Sequence, residues 1–264
     1  MKILSKRRVL LTISYDGTNY CGWQKQLAGA VPTVQEALDK ACSRLFKADI
    51  QSIGASRTDA GVHALGQRAV IDVDTTIPTD RIPMALNGFL PEDIVVTAAQ
   101  DVSDDFNPRF NAVKKTYEYK IYNSHIRNPM YRNCSEYVRE YLDVKEMDSA
   151  ARAFIGEHDF KGFCSTGSSS KTTVRTIYSI SVEQKNDFIV IRVTGSGFLY
   201  NMVRIIAGTL IYVGNGKIKS YEMKGIISSC DRRKAGKTAG PSGLTLVKIM
   251  YDYLQQTLDT CGAV

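Results

Sequence analysis

The chain has 264 residues, 44% hydrophobic and 23% charged, and 34 Lys and Arg against 27 Asp and Glu leave it at +7. That length sustains a sizeable core in one large domain or two small ones, and neither figure is that of a disordered chain. The longest uncharged apolar stretch, 205–216, falls short of the ~20 residues that cross a bilayer. The basic segment 1–11 has no apolar leader core, so neither a membrane span nor a secretory signal is expected.

In chain order, the alternation from Arg8 to Tyr15 predicts a strand that stops at the turn pair Asp16-Gly17. A loop carrying Gly22 and Trp23 follows. Thr33 then opens a helix, with Glu36 three residues on as a capping box and Val34, Ala37, Leu38, Ala41, Cys42 and Leu45 as its apolar stripe. Ile50–Ala55 and Arg68–Asp74 are strands, Thr79–Phe89 a short helix and Ile94–Ala99 a strand. The second half repeats the order. Lys115–Tyr122 alternates as a strand, and Val144–Phe154 has helical spacing. Val174–Glu183 and Phe188–Thr194 are strands joined at Asn186-Asp187. Phe198–Val213 is a long apolar helix, Ser220–Ser229 a shorter one, and Leu244–Asp252 the last strand.

Each half thus reads β-α-β-β-α-β, the ferredoxin-like order. The expected fold is α+β: two ferredoxin-like halves, 1–107 and 108–264, sharing a mostly antiparallel central sheet with helices packed on it and a cleft between the halves. The polar segment 165–173 is expected to be a loop. Six cysteines lack Cys-x-x-Cys spacing and the three histidines are far apart, a pattern of indifferent thiols in a reducing compartment with no zinc site.

One string stands out chemically, Gly54-Ala55-Ser56-Arg57-Thr58-Asp59-Ala60-Gly61-Val62-His63-Ala64, between the second and third strands. It suits a plain turn, with Asp59 and Gly61 placed for backbone geometry. It equally suits a reactive carboxylate: Arg57 two residues away favours the ionised form of Asp59, and flanking glycines let a ligand approach the backbone. A second oddity is Arg204, the one charge in the apolar helix 198–213. It must reach water or find a carboxylate.

The string Arg57-Thr58-Asp59-Ala60-Gly61-Val62-His63-Ala64 resembles the signature of the TruA family of tRNA pseudouridine synthases. Other segments resemble that family in the same order: Tyr15-Asp16-Gly17-Thr18-Asn19-Tyr20-Cys21-Gly22-Trp23-Gln24, Asn107-Pro108-Arg109-Phe110, Lys115-Thr116-Tyr117-Glu118-Tyr119, Gly156-Glu157-His158-Asp159-Phe160, Phe198-Leu199-Tyr200-Asn201-Met202-Val203-Arg204 and Ala235-Gly236-Lys237-Thr238-Ala239. Gly240 and Lys237 stand where that family often has proline. The resemblance implies an isomerase that detaches uracil from ribose and reattaches it through carbon, without metal or organic cofactor. It implies Asp59 as the essential carboxylate, whether it attacks base or sugar or removes a sugar proton. It also implies Arg204 as the partner of Asp59, Tyr117 as a ring against the target base, Arg57 beside the vacated space and Leu244 at the pocket floor. For Tyr117 and Leu244 ordinary core packing is the competing role.

The resemblance further implies a cytoplasmic homodimer with one tRNA across both subunits, acting on uridines of the anticodon stem-loop at positions 38–40. A paired uridine must first leave its stack. Basic clusters at Lys6-Arg7-Arg8, Lys114-Lys115 and Arg232-Arg233-Lys234 with Lys237, and more loosely Arg127 and Arg132, are either solvated faces or tracks for an RNA backbone. The alternatives are a non-catalytic RNA-binding protein and a synthase acting on other RNA sites. No phosphate-loop or dinucleotide-binding glycine string occurs.

Overall fold

A computed structural model describes residues 6–26, 31–167 and 170–252. The chain divides into two compact units, one formed by 1–113 with 246–264 and the other by 114–245. The fold is α+β with mostly antiparallel strands. No helix among the described residues is long and apolar enough to cross a membrane.

In the first unit, β1 (Lys6–Tyr15) is followed by α1 (Val34–Phe46), β2 (Ile53–Gly54), β3 (His63–Asp74), α2 (Ile82–Asn87) and β4 (Ile94–Val102). This is the expected β-α-β-β-α-β order. β1 lies between β3 and β4, antiparallel to both, with Lys6 opposite Asp74 and Arg8 opposite Val102. β2 pairs with β3 on its other side, Ile53 opposite Val70. Leu10, Leu11, Ile13, Ile71, Leu38, Ile82 and Leu86 are fully buried, each burial stabilising by about 1.5–3 kcal/mol.

The second unit holds β5 (Lys114–Asn123), β6 (Glu136–Val138), α3 (Val144–Ala151), β7 (Gly156–Asp159), β8 (Val174–Lys185), β9 (Phe188–Gly195), α4 (Met202–Gly214) and α5 (Met223–Ser228). The strands run β5-β9-β8-β7, and β6 lies parallel against β5. The β8–β9 hairpin turns at Asn186-Asp187, where Asn186 takes φ 55°, a left-handed value that asparagine tolerates. Phe154, Phe160 and Phe163 pack together, with the first and last rings edge-on at 5.1 Å. The last strand, β10 (Leu244–Met250), begins in the second unit and continues in the first.

Three expectations are corrected. The strand foreseen over Ile50–Ala55 shrinks to two residues, because the backbone of Ile50 and Ser52 is engaged by helix side chains. Ser43 accepts the Ile50 N–H, Asp39 the Ser52 N–H, and Gln35 donates to the Ser52 carbonyl. α4 starts at Met202 rather than Phe198, since Asn201 sits at φ 60° and cannot continue a right-handed helix. β6 and β7, three and four residues long, carry too little alternation to stand out in the sequence.

Candidate active site

Asp59 sits in the connection from β2 to β3, half-buried, and its loop is held from behind by the segment that follows β1. Trp23 N–H donates to the Thr58 carbonyl at 3.1 Å, and Gly61 N–H to that of Tyr20 at 3.2 Å. Val62 N–H closes on the Asp59 carbonyl at 3.1 Å, making 59–62 a tight turn. Inside, the hydroxyls of Tyr15 and Thr58 bond at 2.8 Å. Upstream, the Gln67 side-chain amide brackets Ser56, accepting its N–H at 3.2 Å and donating to its carbonyl at 2.6 Å.

Glycines permit this clamp. Gly22 has φ 79°, and a Cβ there would fall on the Thr58 carbonyl oxygen. A Cβ on Gly17 would fall on the Val62 carbonyl, and one on Gly54 would enter the buried Trp23 ring. The clamp also reaches α1. The Gly22 and Trp23 carbonyls accept the N–H groups of Val34 and Gln35, and Thr33 Oγ1 accepts that of Glu36 at 3.3 Å. Three donors that a helix start leaves orphaned are thereby satisfied. The sequence presents Tyr15, Gly17, Gly22, Trp23 and Thr33 only as a strand end, a turn, a loop and a helix start. The tie of the first four to the Asp59 loop spans more than thirty residues and leaves no local signal beyond the glycines themselves.

At the edge of this loop, Asp16 Oδ1 lies 3.1 Å from His63 Nδ1 and accepts the Thr18 N–H at 2.9 Å. Partial burial works against the charged form of Asp16, but the Thr18 hydrogen bonds and His63 outweigh it and hold the carboxyl below its ordinary range. Arg57 is exposed and forms no ion pair among the described residues, so its nearness to Asp59 in sequence does not become a pair.

The other expected residues lie in the second unit. Tyr117, on β5 opposite Val193, is 6% exposed, and its ring meets Phe198 edge-on at 5.2 Å. Leu244 is buried at the start of β10. Arg204, in the first turn of α4, donates from Nε to the Ala239 carbonyl at 2.8 Å and from Nη1 to Asn201 Oδ1 at 2.8 Å. Arg204 is half-buried, and these two bonds fix its guanidinium. Asp59 and Arg57 therefore share one loop of the first unit, whereas Tyr117, Arg204 and Leu244 belong to the second.

A family profile described as tRNA pseudouridine synthase matches residues 11–111 and 150–252, which include the Asp59 loop and α4. The chain belongs to that family. It is 52% identical over 246 residues to tRNA pseudouridine synthase A of Ruminiclostridium cellulolyticum, covering 93% of this chain and 100% of the relative. It is 50% identical over 245 residues to tRNA pseudouridine synthase A of Thermoanaerobacter sp. (strain X514), with the same coverage. A Clostridium tetani relative, tRNA pseudouridine synthase A 2, is 46% identical over 93% of this chain and 99% of its own length. The protein is accordingly an isomerase, and the resemblance to the TruA family read from the motifs holds over nearly the whole chain.

Proposed function

We propose that this isomerase converts uridine to pseudouridine in the anticodon stem-loop of tRNA, at positions 38–40, with Asp59 as the essential carboxylate. In the net reaction the N1–C1′ bond breaks, the C5–C1′ bond forms, and a hydrogen leaves C5 while N1 gains one. No electrons are gained or lost. A carboxylate suits this exchange because it can add covalently or carry a proton, splitting one hard step into easier ones. The observation that carries the reading is the clamp on the Asp59 loop. Three glycines without room for a Cβ, a buried hydroxyl pair and three backbone hydrogen bonds fix one half-buried aspartate, as preorganisation of a reacting group demands.

Tyr117, Arg204 and Leu244 are assigned to binding the extruded uridine, and Arg57 to the space it vacates. Exposed Arg57 keeps its guanidinium free for RNA, and flipping costs a few kcal/mol of stacking that such contacts offset. The protein works as a cytoplasmic homodimer with one tRNA across both subunits. The deciding experiment incubates the full chain with unmodified tRNA, without added metal or cofactor, and maps pseudouridine site by site for the native protein and Asp59→Asn. Pseudouridine confined to 38–40 and lost in the variant is expected; a fully active variant refutes the assignment of Asp59.

A further inference from the structure

Residues 235–243 cross α4 as a strap. Gly236 N–H donates to Thr209 Oγ1 at 2.9 Å, and no Cβ fits on Gly208, where the Lys237 carbonyl lies. Within the strap, Ala239 is fully buried and grips Arg204 twice. Its N–H donates to the Arg204 carbonyl at 3.1 Å, and its carbonyl accepts Arg204 Nε at 2.8 Å. The Ala239 carbonyl and the Gly240 N–H belong to one planar peptide unit, so whatever holds that N–H also aims the carbonyl. Its holder is Glu136. Set by the short parallel strand β6, Glu136 Oε2 accepts the Gly240 N–H at 3.1 Å, with its side chain only 18% exposed. The next peptide is fixed too, because the buried Tyr119 hydroxyl donates to the Gly240 carbonyl at 2.8 Å. Lys237 Nζ, 3.7 Å from Glu136 Oε1, balances the carboxylate.

We propose that Glu136 is a positioning residue for Arg204, acting through the Ala239–Gly240 peptide as carboxylate, amide and guanidinium in line. The proposal rests on the reading that Arg204 serves the uridine site. A negative charge on the N–H side of an amide polarises its carbonyl and strengthens the bond it accepts, which fixes the Nε face of the guanidinium. It also explains Gly240. Its φ of −58° suits any residue, proline included, so the backbone does not require glycine. A Cβ at 240 would fall on Glu136 Oε2 while meeting no other atom closely, so a larger residue there displaces the carboxylate from the peptide it holds.

The test compares Glu136→Ala, Glu136→Gln, Gly240→Ala and the double Glu136→Ala/Gly240→Ala with Arg204→Leu. The readouts are single-turnover pseudouridine formation at saturating enzyme, tRNA Kd and thermal midpoint. Glu136→Ala is expected to slow the step on the order of 10- to 100-fold with Kd nearly unchanged. Glu136→Gln, which still offers an oxygen to Gly240, recovers most of the rate. Gly240→Ala slows the native protein similarly but adds nothing once Glu136 is alanine. A native rate in Glu136→Ala, or a Gly240→Ala loss equally large in both backgrounds, overturns the proposal; so does a lowered midpoint with an unchanged rate. If Arg204→Leu is inactive in such a case, only the role of Glu136 falls. If Arg204→Leu keeps its rate, the reading of Arg204 falls and the proposal with it.

Discussion

A methyl group at position 22 would break the clamp at two levels. At φ 79° an L-residue costs roughly 1–2 kcal/mol, and its Cβ would displace the Thr58 carbonyl beside Asp59. Gly22→Ala is therefore expected to lower the thermal midpoint modestly while cutting pseudouridine formation far more; equal fractional losses in both would contradict a site-positioning role. Asp59→Asn should show the converse, a native midpoint with activity down about 10³-fold or more. Asp39 gives a stability test. It is 6% exposed on α1, and burial pushes its carboxyl above the ordinary value against the opposing hydrogen bonds from Ser52. Because its folded value is the higher one, the contribution of Asp39 to stability is greatest below about pH 3.9, the unfolded value. It falls as pH rises toward the raised folded value, then levels off. Asp39→Asn keeps an oxygen for the Ser52 N–H and hydroxyl, at 2.9 and 2.6 Å, and removes the charge. Melts across pH should show that decline gone and the midpoint at pH 7 equal to or above native. At this scale the Asp59 string was legible because it is contiguous. Its braces Tyr15, Gly22 and Trp23 were not, because hydrogen bonds between distant segments leave no pattern in either one.

Among elements, α4 shows what periodicity can and cannot deliver. Its apolar run was plain in the sequence, and nearly every residue from Met202 to Gly214 is buried. Its start was not, because one left-handed asparagine decides it. Of its two glycines, Gly208 falls inside that run without standing out, yet it is where the 235–243 strap lies against the helix. Gly208→Ala should be among the most destabilising single methyl additions in the chain, costing about 1–3 kcal/mol or more by overpacking. A chemical denaturation series measures it, and a shift below half a kcal/mol would argue that the strap lifts easily. α1 gives the complementary case. Of the stripe Val34, Ala37, Leu38, Ala41, Cys42 and Leu45, Ala37 and Leu45 are only half-buried and the other four are buried, but so are Gln35 and Asp39, polar residues that the pattern assigns to solvent. They are buried to satisfy the backbone of Ser52, which, with Ser43 holding the Ile50 N–H, is also why the expected strand there nearly vanishes. One side-chain network thus accounts for both departures.

Over the whole molecule, the count of 34 Lys and Arg overstates the cations that an RNA backbone meets. Arg7 is bound to Asp101 at 2.9 Å and to the Ile77 carbonyl at 3.0 Å, and Arg8 to Asp72 at 2.8 Å. The bond from Arg8 raises the Arg8 value and lowers that of Asp72. Arg233 pairs with Asp231 at 2.8 Å, and Arg232 donates to the Gly236 carbonyl at 2.8 Å and to Thr238. The clusters at 6–8 and 232–234, which sequence presents as uniformly basic, thus commit their guanidiniums to their own units. Arg8→Gln should lower the midpoint, most clearly above the pH where Asp72 ionises, and leave tRNA affinity within about twofold of native. Only the uncommitted cations remain to neutralise phosphates. If three to six are engaged, the logarithm of the tRNA binding constant should fall against log salt with a slope of about −2 to −5, since each contact contributes roughly −0.7 to −0.9. Binding titrations from low to moderate salt measure that slope. A flat line would mean that the backbone is not what the protein holds. A slope steeper than about −7 would mean that the paired arginines leave their carboxylates for phosphate, and the Arg8→Gln titration would then be shallower than native by about one contact.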